Sequence, residues 1–188
     1  MKSPYSFIVK PVNNRRYDNV KNIAGIDFIT STSQEDHTVS NRFAEVISTP
    51  IDYPGPVKVG DTLLVHHNVF KYYYDMKGNQ KSGKSFLFDD LFLVDDDQYF
   101  LYKTEDQWKS RDRYCFVSPM EKGEFYLDYH GNEQPLVGMI KYSNNILEDQ
   151  GIFAGDVVSF KPNSEYEFNI DEEKLYRVMT HMITMKLK

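Results

Sequence analysis

Residues 78–85, Gly78-Asn79-Gln80-Lys81-Ser82-Gly83-Lys84-Ser85, match the pattern of a phosphate-binding loop letter for letter. In such a loop, backbone N–H groups and a helix N-terminus cradle the phosphates while a lysine reaches the terminal ones, so a helix must follow directly. Here Phe86-Leu87-Phe88-Asp89 and Leu91-Phe92-Leu93-Val94 follow and read as strands. The acidic Asp95-Asp96 arrives before a crossover of about a dozen residues could intervene. The segment therefore reads as a polar hairpin tip, and nucleotide binding through it stands third among the functional readings.

The other reactive groups are as sparse. Adjacent His66 and His67, placed on a strand, point to opposite faces and cannot share one metal ion. Asp95-Asp96-Asp97 lacks the alternating ligands and glycine of a calcium loop and reads as a solvated turn. Cys115 is the sole cysteine; within an apolar strand it is expected to be a buried, inert thiol. No serine occupies a nucleophile elbow. The run Phe70-Lys71-Tyr72-Tyr73-Tyr74 has rings that could stack on bases, but strand alternation explains it with less. The expectation is a protein that is not an enzyme, with no catalytic residues, no metal and no cofactor.

The elements that would carry these residues are strands. Among 188 residues, 14 are Tyr and 13 Phe, and apolar periodicity of helical spacing is rare. Short β-prone runs such as Phe7-Ile8-Val9, Ala44-Glu45-Val46-Ile47, Thr62-Leu63-Leu64-Val65 and Tyr99-Phe100-Leu101-Tyr102 are separated by Gly, Pro, Asn and Asp. A formal net charge of −6 argues against nucleic acid and anionic membranes as partners. With a single cysteine, no apolar run at the N-terminus and none long enough to span a bilayer, the expected location is cytoplasmic.

Three blocks recur in the same order. Phe7-Ile8-Val9-Lys10-Pro11 is echoed by Cys115-Phe116-Val117-Ser118-Pro119, and Val59-Gly60-Asp61-Thr62-Leu63 by Ala154-Gly155-Asp156-Val157-Val158. Phe86-Leu87-Phe88-Asp89 with Leu91-Phe92-Leu93-Val94 is echoed by Phe168-Asn169-Ile170-Asp171 with Leu175-Tyr176-Arg177-Val178. Such a repeat implies two copies of one module. The expected fold is all-β: a first barrel module over 1–104, with a long loop at 13–41 and a hairpin insert at 70–86, and a more compact second module over 113–188. One irregular β domain with recurring turns is the other reading of the same blocks.

These blocks resemble the GroES-like co-chaperonins. Gly138-Met139-Ile140, then Gly151 to Gly155-Asp156-Val157-Val158, then Ile170-Asp171-Glu172-Glu173-Lys174-Leu175-Tyr176 is similar to that family's succession of motifs, and Val57-Lys58-Val59-Gly60-Asp61 is similar to its turn. His66-His67-Asn68-Val69-Phe70 and Asn163-Ser164-Glu165-Tyr166-Glu167-Phe168 also resemble GroES-like proteins of marine bacteriophages, which would place the chain in a host cytoplasm.

The resemblance implies tandem GroES-like β-barrels and a mobile loop that docks on a large chaperonin ring and assists protein folding. It also implies association into a homo-oligomer. The loop tip corresponds to Ala24-Gly25-Ile26-Asp27-Phe28-Ile29-Thr30, making Ile26, Asp27, Phe28 and Ile29 the partner-binding residues, with Ile26 and Phe28 as the buried anchors. Asp27 stands where the family has an aliphatic residue. The competing reading makes residues 27–30 a strand with Phe28 in the core. Residues 121–134, with Phe125-Tyr126-Leu127, read as a hairpin turning near His130-Gly131-Asn132 or as a second docking loop. A viral structural or assembly protein using the same barrel without a chaperonin is the alternative function.

Overall fold

A computed structural model describes residues 1–17, 20–23, 25–29, 40–121 and 133–187, with the side chains of 20–23 and 27–29 outside the description. The chain divides into two units, Met1–Gln107 and Trp108–Lys188. Both are built from antiparallel strands, as the β-prone runs lead one to expect. The boundary falls between the expected modules 1–104 and 113–188, and the stretch there carries a strand of its own.

The first unit contains β1 (Phe7–Pro11), β2 (Val20–Ile23), β3 (Ile26–Ile29), β4 (Phe43–Ser48) and β5 (Thr62–Val65). It continues with β6 (Tyr72–Tyr74), β7 (Gln80–Ser82), β8 (Phe86–Phe88), β9 (Leu91–Val94) and β10 (Tyr99–Thr104); β11 (Gln107–Ser110) starts at the boundary. The second unit has β12 (Tyr114–Glu121), β13 (Glu133–Tyr142), a helix α1 (Asn145–Asp149), β14 (Val157–Phe160), β15 (Tyr166–Ile170), β16 (Glu173–Met179) and β17 (Ile183–Lys186).

Within the first unit the main sheet runs β10-β5-β4-β1-β9-β8, and the second unit's sheet runs β17-β14-β13-β12-β16-β15. Strand for strand, one order maps onto the other. The registers agree as well. Val9 faces Val46 and Pro11 faces Ala44, while Val117 faces Ile140 and Pro119 faces Gly138, with a register shift just before Val9 and just before Val117. Ala44 opposite Leu63 corresponds to Gly138 opposite Val158. Among the described residues neither sheet has a ladder joining its two outer strands, so each is an open sheet rather than a closed barrel.

The Gly-Asp turns explain part of this agreement. Gly60 and Gly155 have φ of 92° and 93°, a left-handed conformation that glycine adopts without a Cβ penalty. In the first unit Gly60 N donates to Val46 O (2.8 Å) and Val46 N to Asp61 O (2.9 Å); in the second, Gly155 N donates to Ile140 O and Ile140 N to Asp156 O, both at 2.8 Å. Each aspartate then caps its own turn, Asp61 Oδ2 accepting from Lys58 N and Asp156 Oδ2 from Phe153 N, each at 2.8 Å. The strand after each turn is thereby held in one register against its neighbour.

Cores follow the alternation of the strands. Phe7, Val9, Ala44, Val46, Leu63, Val65, Phe92 and Val94 are buried together in the first unit, and Cys115, Val117, Ile140, Val158, Phe160 and Val178 in the second. The third repeat holds in its second strand, where Phe92 faces Val9 as Tyr176 faces Val117, and is displaced in its first: Phe88 faces Leu91, but Phe168 faces Leu175 while Ile170 faces Glu173. The β15–β16 hairpin is two residues longer on each strand, so a match made on its turn is offset by two in the ladder.

Candidate functional site

Two excursions leave the main sheet of the first unit. One leaves β1 after Pro11 and returns at β4; the other leaves β5 after Val65 and returns at β8.

The first excursion begins with a short 3-10 turn, Val12–Asn14, in which Asn13 and Asn14 take left-handed φ values that asparagine tolerates. Its base is closed by Asn41, which is 4% exposed. The Asn41 Nδ2 donates to Val12 O (2.9 Å) and Arg15 O (2.7 Å), and Oδ1 accepts from Phe43 N (2.9 Å). Its backbone N donates to Arg16 O at 3.0 Å, and Tyr17 bridges Ser40. One buried side chain, fully satisfied, thus pins the departing and returning strands together.

Beyond this clasp, β2 and β3 form their own ladder, pairing Val20 with Ile29, Lys21 with Phe28, Asn22 with Asp27 and Ile23 with Ile26. Gly25, at φ 82°, makes the turn, and Ile26 beside it is 61% exposed. The expected partner-binding residues Ile26, Asp27, Phe28 and Ile29 therefore lie on one strand of a separate two-stranded sheet. Ala24 and Thr30, like residues 122–132 of the second unit's corresponding segment, lie outside the described residues.

The second excursion is the β6–β7 hairpin, in which Tyr72, Tyr73 and Tyr74 face Ser82, Lys81 and Gln80. Asp75 builds its turn: Oδ1 accepts from Lys77 N and Asn79 N, both at 2.9 Å, and these bonds, that from Asn79 N first, hold its carboxyl below the usual range. Met76 at the tip is fully exposed.

The two excursions are joined at their roots. Arg16 Nη1 donates to Ser82 Oγ at 3.1 Å, and its guanidinium lies 4.8 Å from the centroid of Phe92 and 5.3 Å from that of Phe86. The Tyr17 ring meets Tyr72 edge-on at 5.1 Å, and Tyr72 meets Tyr74 at 6.1 Å, so an aromatic row climbs from one excursion along the other. Burial pushes the Tyr17 phenol up. Nothing in the spacing of Arg16, Tyr17, Asn41 and Ser82 marks them in the sequence as partners.

The reactive-looking motifs fall elsewhere. Residues 78–85 run through the β6–β7 turn and β7 into the turn before β8, with strands where a phosphate loop requires a helix. The Gly83 N–H donates to Lys71 O (2.8 Å), and a Cβ at this position would stand 3.0 Å from the same oxygen, so a larger residue would crowd the bond. His66 and His67 follow the end of β5 instead of continuing it, and their rings sit 4.1 Å apart. The expectation of opposite faces fails because both have left the strand. Even so, His66 Nδ1 accepts from Asn68 N, and no group of three ligating side chains occurs among the described residues.

Asp95 accepts from Ser6 Oγ at 2.6 Å and its N–H donates to Gln98, which makes residues 95–98 a structured turn. Burial pushes the Cys115 thiol up to about 12, which keeps it protonated and unreactive at neutral pH. In the second unit a pocket of about 390 Å³ opens beside Arg113, Ile146, Gln150, Met179 and His181. Two further lining residues, Tyr114 and Thr180, are tied together by Asn144, whose Nδ2 donates to Tyr114 O and Thr180 Oγ1 while Oδ1 caps α1 through Leu147 N. No protein-family model matches the chain, and no curated protein matches it.

Proposed function

We propose that this chain is a GroES-like co-chaperonin, two tandem barrel-type modules of which the first docks on a large chaperonin ring through the β2–β3 excursion. The observation that carries the reading is that excursion itself: a small sheet set off from the core strands, closed at its base by Asn41, with Ile26 exposed beside a glycine turn. The period of two in a strand puts positions 26 and 28 on one face of β3 and position 27 on the other, so Asp27 need not enter the groove that receives the two apolar anchors. The shared strand order and the paired Gly-Asp turns support a doubled module.

Binding then does the work. An apolar pair on a projecting segment buries in a groove of the ring, the cost of ordering the segment keeps each contact weak, and association of several copies multiplies it. Co-sedimentation with a purified chaperonin, with and without ATP, tests the reading. The parent protein is expected to pellet with the ring, and the double change Ile26→Ser and Phe28→Ser to stay in the supernatant. Equal pelleting of both would overturn the docking role of β3.

A further inference from the structure

The charges of the first unit are segregated along the chain. Residues 71–84 hold Lys71, Lys77, Lys81 and Lys84 against Asp75 alone, a formal +3 in a chain of −6. Residues 85–106, immediately after, hold seven carboxylates against Lys103. The basic stretch is the β6–β7 hairpin. Tyr73 and Lys81 face one another across it, so they share a face, and Lys71 has the same parity. Tyr73 and Tyr74 are each 52% exposed and Met76 is fully so. Among the described residues none of the four lysines is ion-paired. The acidic stretch presents exposed turns: Asp89-Asp90 joins β8 to β9, and Glu105-Asp106 follows β10. The hairpin is rooted at the start of β8 and beyond the end of β5, whereas these acidic turns lie at the far end of β8 and of β10.

We infer that the β6–β7 hairpin is a docking arm for a second copy of this chain, seating its lysines and Tyr73 against the acidic Asp89-Asp90 turn of that copy. Charge complementarity selects the occupant. Two hairpins meeting each other would oppose +3 with +3, whereas hairpin against acidic turn pairs opposite signs and lets tyrosine and methionine bury apolar surface. Because the two patches differ, the contact is head-to-tail and propagates into a ring or a chain of copies. This deepens the homo-oligomer that the proposed function implies, but its readout involves no chaperonin and stands or falls separately.

Solution mass by light scattering and sedimentation tests it. The parent should be larger than one chain in dilute buffer and shrink toward one chain at about 0.5 M salt, where the screening length falls to a few Å. Lys81→Glu with Lys84→Glu, and separately Asp89→Lys with Asp90→Lys, should each weaken self-association at least about tenfold, since like charges are then brought together. An equimolar mixture of the two reversed proteins should recover mixed assemblies. Circular dichroism of each variant checks that these exposed changes leave the strands intact. A parent that stays a single chain, a mass indifferent to salt and to both reversals, or reversed proteins that fail to recover together would overturn the inference. So would lysine reversal that leaves the mass unchanged but abolishes binding of a labelled single-stranded oligonucleotide, which would make the hairpin a nucleic-acid surface.

Discussion

The two units lay their strands in the same order and register, yet they handle the space between strands differently. In the first, β1 and β4 are separated by an excursion clasped by Asn41, and β5 and β8 by a tyrosine hairpin. In the second, β14 is followed within a few residues by β15. The difference teaches that the ladders and Gly-Asp turns suffice to build the unit, since the second unit forms them without the hairpin insertion. The β6–β7 hairpin, by that comparison, is free to serve partners.

Matched substitutions can break this comparison. The largest effect is expected at Phe92, which faces Val9 just as Tyr176 faces Val117. Phe92 is fully buried and meets Phe70 and Phe86 edge-on. Phe92→Ala should cost about 3–5 kcal/mol by denaturant unfolding. Tyr176 is only partly buried, its hydroxyl donating to Glu133 at 2.6 Å. Tyr176→Ala should cost about 1–2 kcal/mol. Equal losses would show that equivalent ladder positions carry equal weight in both units.

Next comes Gly138, the counterpart of buried Ala44. A Cβ at Gly138 would lie 2.9 Å from Ser118 O and 3.1 Å from Val117 Cβ. Gly138→Ala is therefore expected to destabilise by about 1–3 kcal/mol through crowding of backbone that cannot move aside. Ala44→Gly should cost about 1 kcal/mol, because the flexible residue loses more freedom on folding. Calorimetry that finds Gly138→Ala neutral would mean that the second bulge yields where the first is filled.

Asn41→Ala tests the clasp. Three part-buried side-chain hydrogen bonds vanish, a loss of about 1–3 kcal/mol. Amide exchange should accelerate around residues 12–17 and 40–43 while β12 to β17 keep their protection. Acceleration spread through both units would deny that Asn41 acts locally.

The smallest effect separates the units by pH. Glu133, Glu173 and Asp156 are held below the ordinary carboxylate range, chiefly by hydrogen bonds from Lys174, Lys141 and Lys186 respectively. A carboxyl with a lowered folded value stabilises fully above its ordinary value, 4.5 for the two glutamates, and loses that contribution as pH falls through the folded value. The glutamate pairs are well exposed, so each contributes under about 1 kcal/mol. Among the described residues of the first unit the lowered carboxyl is that of Asp75, whose bonds stay within its hairpin turn. Exchange protection below pH 4.5 should thus fall first in the second unit. Simultaneous loss would place the acid-sensitive groups elsewhere.

What the sequence revealed and what it concealed follow from range. The Gly-Asp turns were legible because their cause is local: a left-handed glycine and an aspartate that caps a backbone N–H three residues before it. The β1 and β12 strands were legible for the same reason, apolar residues closed by a proline. Helix α1 was missed although Asn144 ahead of it and Gly151 after it are ordinary boundary signals, because five residues are too few to show a period. His66 and His67 were misplaced because the end of β5 at Val65 leaves no mark in composition. The joined roots of the excursions rest on Arg16 meeting Ser82 and Tyr17 meeting Tyr72, pairs more than fifty residues apart that only folding brings together. Sequence pointed to both excursions as the places to look but gave no sign that they meet.

The proposal that the first unit's β2–β3 excursion carries partner binding is tested most directly by replacing residues 20–29 with a short Gly-Ser turn. Binding to a purified chaperonin ring would then be measured beside thermal unfolding. The account predicts lost ring binding with the unfolding transition nearly unmoved. Ring binding that survives the replacement would contradict it.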